Sequence, residues 1–198
     1  MENRDKIILH LCADVGSDSK PYKDAGYDVR LIGSDIGVEN YHPPQNVYGI
    51  IANPPCTMFS IARQRAKTPR DLKEGMRLVQ ECLRIIWECQ YQTPEGKFTS
   101  NLKFWVIENP ATGMLKYFLG KPVFEYSPHE YGAEFTKKTA LWGYFNKPIK
   151  PLLVSKLPPH RSVDDIFTPM NTRDKYERMN ARSIAYEGFT KMFFLANQ

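Results

Sequence analysis

Four apolar runs, separated by polar stretches rich in glycine and proline, dominate the first 110 residues: KIILHLCA (6–13), VRLIGSD (29–35), VYGIIAN (47–53) and LKFWVIENP (102–110). Near-continuous hydrophobic runs of this length predict strands covered on both faces. Between the first two, DVGSDSKPYKDAGYDV (14–29) predicts a tight turn and a short helix that ends at Gly26, a residue suited to the C-terminal cap. Thr68 and Pro69 predict the start of the longest helix, which runs to about Tyr91, because Thr suits the N-cap and Pro the first helical position. Leu72, Met76, Val79, Leu83, Ile86 and Trp87 recur there at steps of three and four, which predicts one buried face. PEGKFTSN (94–101) reads as a loop, and VFEYSPHEYG (123–132) with TKKTALWGYF (136–145) reads as a later strand pair. The segment 147–161 is proline-rich and irregular, and 172–198 closes with helical signals.

Strands alternating with helices predict a three-layer α/β sheet with helices on both faces. In such sheets ligands bind beyond the carboxyl ends of the strands. Asp14, Asp35, the stretch from Asn53 to Cys56, and Glu108 with Asn109 all fall just past predicted strand ends. The polar residues therefore converge on one rim.

Composition narrows the classes. A chain of 198 residues, 42% hydrophobic and 13% aromatic, can bury a full core and reads as a single domain over 1–198. A net charge of +5 and a pI near 8.9 admit a polyanionic partner without requiring one. No run approaches a membrane span, and MENRDKIILH lacks a signal-peptide core. The four cysteines form no CxxC and no zinc spacing, so we expect no metal and a reduced, cytoplasmic setting with free thiols.

Cys56 raises the sharpest chemical question. Pro54 and Pro55 stop an apolar strand and hold out a thiol, with Thr57 and Ser60 making the far side polar. A free cysteine is often a small buried hydrophobe. Here Arg63, Arg65, Lys67 and Arg70 follow closely; such a stretch lowers a nearby thiol pKa and can also clasp phosphates. Glu108 ends a second apolar strand before Asn109 and Pro110. A half-buried carboxyl there can keep a raised pKa and donate a proton, the plain alternative being an ion pair with a lysine. The first loop, Asp14 to Ser17, is small enough for backbone to approach a ligand, and Asp35, 19 residues beyond Gly16, sits where an acid commonly holds ribose hydroxyls. A thiol and an acid on one rim fit alkylation of carbon 5 of a pyrimidine, where thiolate addition at carbon 6 turns a poor nucleophile into an enamine-like one.

These residues resemble the DNA cytosine-5 methyltransferase family. Pro54-Pro55-Cys56 with Phe59-Ser60 is similar to its PPCxxFS signature, Glu108-Asn109-Pro110 to its ENV motif, LCADVGS (11–17) to its cofactor loop, and RSIAYEGFTKMFFLAN (182–197) to the C-terminal motif that completes the cofactor pocket. The order is preserved over 7–197, and the likeness is greatest to the short methylases of bacteriophage genomes. The resemblance implies a Rossmann-like S-adenosylmethionine-dependent fold, DNA as partner, and a bacterial host cytoplasm for a phage-encoded chain. It implies catalytic roles for Cys56, Glu108, Asn109 and Lys138, and cofactor contacts from Cys12, Ala13, Asp14, Gly16, Asp35, Ile36, Asn53, Pro54, Arg182 and Ser183. Nucleic-acid contacts fall to Ser60, Arg63, Arg65, Lys67, Arg70 and Lys137, the last being the alternative to Lys138 as the cation near the base.

The departures shape the expectation. Asp14 and Ser17 stand where the family has glycines, which admits a modified S-adenosylmethionine analogue as cofactor. Only 146–181 occupies the place of the target-recognition domain, so we expect a relaxed or short sequence preference, or specificity lent by a partner protein. The same chemistry on RNA or a free nucleotide, an amino-methyltransferase of the NPPY type, and a non-catalytic cofactor- or nucleic-acid-binding relative are the alternatives.

Overall fold

The computed structural model describes residues 2–13, 15–91, 102–151, 161–162 and 183–198, with backbone alone at Arg65, Arg161 and Ser162. The expectations for Asp14, Arg182, the 94–101 loop and most of 146–181 lie outside these residues. Among the described residues eight strands are formed: β1 Ile7–Leu11, β2 Asp28–Ile32, β3 Val47–Ala52, β4 Phe104–Pro110, β5 Phe124–Tyr126, β6 Phe135–Thr136, β7 Thr139–Tyr144 and β8 Arg161–Ser162. The helices are α1 Lys20–Asp24, α2 Leu72–Gln90, α3 Lys116–Leu119 and α4 Glu187–Ala196.

Six strands make a mixed sheet in the order β2-β1-β3-β4-β7-β5. The first four are mutually parallel, and β7 runs antiparallel to both β4 and β5. The expected pairing of the two later segments is the β5–β7 ladder, in which Tyr126 lies opposite Thr139. β6 and β8 form a separate two-residue parallel ladder.

Side chains alternate across the sheet and give each face its own cover. Leu9, Leu11, Ile50, Ala52 and Ile107 pack against Val79, Cys82, Ile85, Ile86 and Cys89 of α2. Ile8, Ile51, Phe104, Val106 and Leu141 pack against Tyr22 of α1 and Phe189 and Phe193 of α4. Helices thus cover both faces, in three layers.

Two details of α2 correct the sequence reading. Its N-cap is Asp71, whose Oδ1 accepts the Glu74 N–H at 2.9 Å, because Thr68 Oγ1 is occupied by an Arg63 Nη2 donor at 2.9 Å. Trp87 is 67% exposed and meets the Tyr91 ring edge-on. The buried stripe runs through Val79, Cys82, Ile86 and Cys89, and Trp87 lies about 100° around the helix from Ile86. Cysteines fill the stripe that the aromatic was expected to extend. No helix among the described residues is long and apolar enough to cross a membrane.

Candidate active site

The sheet changes direction at β1. β2 lies on one side of it and β3 on the other, so a crevice opens beyond their carboxyl ends, the usual ligand site of open α/β sheets. Cys12 follows β1 with φ 55° and Gly16 has φ 69°. The left-handed φ of Gly16 is one glycine adopts without strain, and it lets the loop lie against the Leu31 side chain of β2. The Cys12 sulfur packs against Cys82 Sγ at 3.8 Å, on the α2 side of the sheet; that hydrogen-bonding neighbour and then burial push the Cys82 thiol well up. Ala13 is buried and donates its N–H to the Ile32 carbonyl, tying the first loop to β2. Val15, Leu31 and Ile36 stand exposed along this edge, with the exposed Asp35 beside Ile36 on the turn after β2. Ser183 begins the segment that returns to the loop, where the Ala185 N–H donates to Ser17 Oγ at 2.9 Å. The end of the chain thus closes over its beginning, where the expected cofactor contacts lie.

β3 delivers the turn that carries Cys56. Pro54 is buried, Pro55 exposed and Cys56 half-buried. The Cys56 carbonyl accepts the N–H groups of Phe59 at 2.9 Å and Ser60 at 2.8 Å, which closes the turn. Phe59, fully buried, anchors it, and its carbonyl accepts the Met114 N–H at 3.0 Å. The fully buried Asn109 of β4 donates Nδ2 to the Pro54 carbonyl at 2.9 Å, and its own Oδ1 is a buried acceptor without a partner. Asn109 therefore braces the proline turn directly.

Arg70 donates to the Met58 carbonyl at 2.7 Å and the Ser60 carbonyl at 2.9 Å, while Arg63 donates to Thr68 Oγ1 and the Pro69 carbonyl. The sequence places both arginines on phosphates. In the structure both guanidinium groups grip their own loop: Arg70 through two turn carbonyls, Arg63 through a hydroxyl and a carbonyl. Among the described side chains of the stretch, Lys67 is the exposed cation.

Behind the Cys56 turn lies a polar network that the sequence reading missed. Asn53 Nδ2 stands 3.4 Å from Asp18 Oδ2 and 3.4 Å from Glu108 Oε2. Asn53 Oδ1 lies 2.8 Å from His10 Nε2, and His10 Nδ1 lies 2.9 Å from Ser19 Oγ. With the amide donor aimed at the two carboxyls, Asn53 Oδ1 is left as the acceptor that faces His10 Nε2. His10 was the legible signal: a histidine in the middle of an apolar strand needs partners once buried.

The two carboxyls share a small cavity of about 20 Å³, room for one water, with walls from Ile51, Val106, Leu141 and Phe189. Those apolar walls strip water from the acids. Desolvation raises the Asp18 carboxyl to about 6, against a smaller downward pull from Lys137. Desolvation likewise raises Glu108; Lys137 and the Asn53 hydrogen bond pull it down, and the Asp18 charge pushes it up. The cation set against both acids is thus Lys137, half-buried, whereas the expected Lys138 is exposed. Successive residues entering β7 point to opposite faces, and the register of β7 puts Lys137 on the acids' side.

A scan against protein-family models finds none that matches the chain, and a search of curated proteins finds no match either.

Proposed function

We propose that the protein is an S-adenosylmethionine-dependent methyltransferase acting on carbon 5 of cytosine in DNA, on a Rossmann-like sheet. One observation carries this reading: the Cys56 turn and the Glu108 carboxyl leave the ends of adjacent parallel strands, and Asn109 and Asn53 tie them together. A thiol for carbon 6 and a carboxylic acid for nitrogen 3 are what this alkylation requires, and neither is needed by a protein that only binds.

The residues beyond β1 and β2 fit a nucleoside cofactor. Val15, Leu31 and Ile36 form an uncovered apolar edge suited to an adenine, Asp35 stands ready for ribose hydroxyls, and the loop of Cys12 and Gly16 lets backbone come close. When bound, S-adenosylmethionine supplies the electrophilic methyl group at this crevice. Cys56 adds as thiolate to carbon 6, and the electron pair displaced from the ring double bond is delocalised onto nitrogen 3, which takes the Glu108 proton. Carbon 5 becomes nucleophilic and would bond to the methyl carbon as that carbon's bond to the sulfonium sulfur breaks, the electron pair leaving on sulfur as a neutral thioether. Loss of the carbon 5 proton to solvent expels the thiolate, and the nitrogen 3 proton returns to Glu108.

The surface beside Cys56 suits a nucleic acid. α3 rests on Phe59, with Phe118 6.0 Å from it ring to ring, and Tyr117 and Ile61 are exposed near Lys116 and Lys67. Aromatic groups interleaved with cations offer stacking to displaced bases.

Oligonucleotides containing 5-fluorocytosine test the reading, because fluorine at carbon 5 blocks the final elimination. With S-adenosylmethionine, a covalent adduct at Cys56 is expected on DNA, located by peptide mass spectrometry. An adduct on RNA alone would move the substrate to RNA, and no adduct on duplex, single-stranded DNA or RNA would end the proposal. Bisulfite sequencing of treated DNA should reveal a short or relaxed sequence preference; strict methylation of one six-base site would contradict it. Arg70→Gln should leave the slope of log affinity against log salt unchanged while exposing 57–60 to proteolysis. A slope reduced by about 0.9 would instead make Arg70 a phosphate contact.

A further inference from the structure

Glu108 can deliver a proton to nitrogen 3 only if it still holds one at the working pH, and nothing in the family resemblance assigns a role to its nearest acidic neighbour. Asp18 lies on the turn before α1, 90 residues away in sequence, yet the Asn53 amide meets both carboxyls at 3.4 Å. Both acids, half-buried, line the same water-sized cavity, whose other walls are largely apolar: Ile51, Val106, Leu141 and Phe189. Two carboxylates in such a site cannot both ionise freely.

We propose that Asp18 is a positioning residue for Glu108: the two carboxyls, bridged by Asn53, hold one proton between them, and Asp18 takes the negative charge so that the proton stays on Glu108. This rests on the reading of Glu108 as the acid at nitrogen 3. The other groups in reach agree with it. Lys137 faces both acids and balances the single charge of the pair. Tyr126, on β5, is fixed as a neutral phenol by burial and by the same two acids. His10, on β1, lies with Nε2 2.8 Å from Asn53 Oδ1 and so orients the bridging amide. The raised carboxyl of Asp18, at about 6, lies where this division of charge operates near neutral pH. The Asp18 charge in turn holds Glu108 up. Asn53, read from the sequence as a cofactor contact, is here the bridge that couples the acids.

The sign of the effect separates this role from a merely structural one. Asp18→Asn removes the charge that keeps Glu108 protonated, so the basic limb of the kcat profile on cytosine DNA should shift about one unit toward lower pH. Lys137→Met removes the opposing charge and should shift it toward higher pH. Asp18→Glu should restore the wild-type limb. A direct readout that needs no turnover is the carbon-13 titration of the Glu108 carboxyl, identified by its loss in Glu108→Gln; its midpoint should fall in Asp18→Asn and rise in Lys137→Met. Midpoints unmoved in both variants, or moved in the same direction, would overturn the proposal. If the wild-type protein traps no 5-fluorocytosine, the reading of function fails instead; the carboxyl titration still reports whether the two acids are coupled.

Discussion

Cys56→Ser is expected to lower methyl transfer to cytosine DNA by at least about 10³-fold and to abolish the 5-fluorocytosine adduct, while S-adenosylmethionine still binds. A serine hydroxyl in the same turn is almost entirely un-ionised at neutral pH and adds poorly to a ring carbon. The fold should not change, because the turn is held by the Cys56 carbonyl, the Phe59 side chain and the Asn109 amide, none of which the substitution alters. Calorimetry of cofactor binding together with gel detection of the adduct checks both halves. Retention of more than a tenth of the rate would remove Cys56 from the mechanism.

Glu108→Gln is expected to slow the chemical step by about 10²–10⁴-fold with little change in cofactor affinity. An amide can still hydrogen-bond to the base, but it cannot transfer a proton to nitrogen 3. Stability gives an independent check with a definite sign. Desolvation raises the folded-state pKa of Glu108, so its contribution is most favourable below the unfolded pKa and is lost as pH rises through the folded value. Thermal melts should therefore show Glu108→Gln at least as stable as the wild-type protein at pH 8, with that advantage shrinking toward pH 4. A variant less stable at pH 8 than at pH 4, relative to wild type, would mean that Glu108 is held as a carboxylate by a partner.

The contrast between strands and helix boundaries shows where the sequence is legible. Each of the four apolar runs became a strand, because continuous hydrophobic segments of that length have few other ways to bury both faces. The proline that follows Asn53 and the one after Asn109 mark where pairing must stop or a ladder donor is missing, and both acceptor-rich turns sit there. The sequence predicts the start of α2 at Thr68, whereas the cap is Asp71, since a cap depends on which oxygen is left over once Arg63 has taken Thr68. Spacing alone puts Trp87 in the core, yet the stripe it would extend is carried by Cys82, Ile85 and Cys89.

The same division runs through the site. Local chemistry, proline turns and strand-end polar residues identified Cys56, Asn53, Glu108 and Asn109 from the sequence by itself, because those signals depend on neighbours within a few positions. That Asp18, His10 and Ser19 join them, that Lys137 and not Lys138 stands opposite the acids, and that Arg63 and Arg70 grip their own loop were decided only by the tertiary structure. Those outcomes turn on strand order, on the register of β7 and on which side of a two-residue alternation meets the core. Such quantities are set by packing among segments tens of residues apart and leave no local trace in the chain.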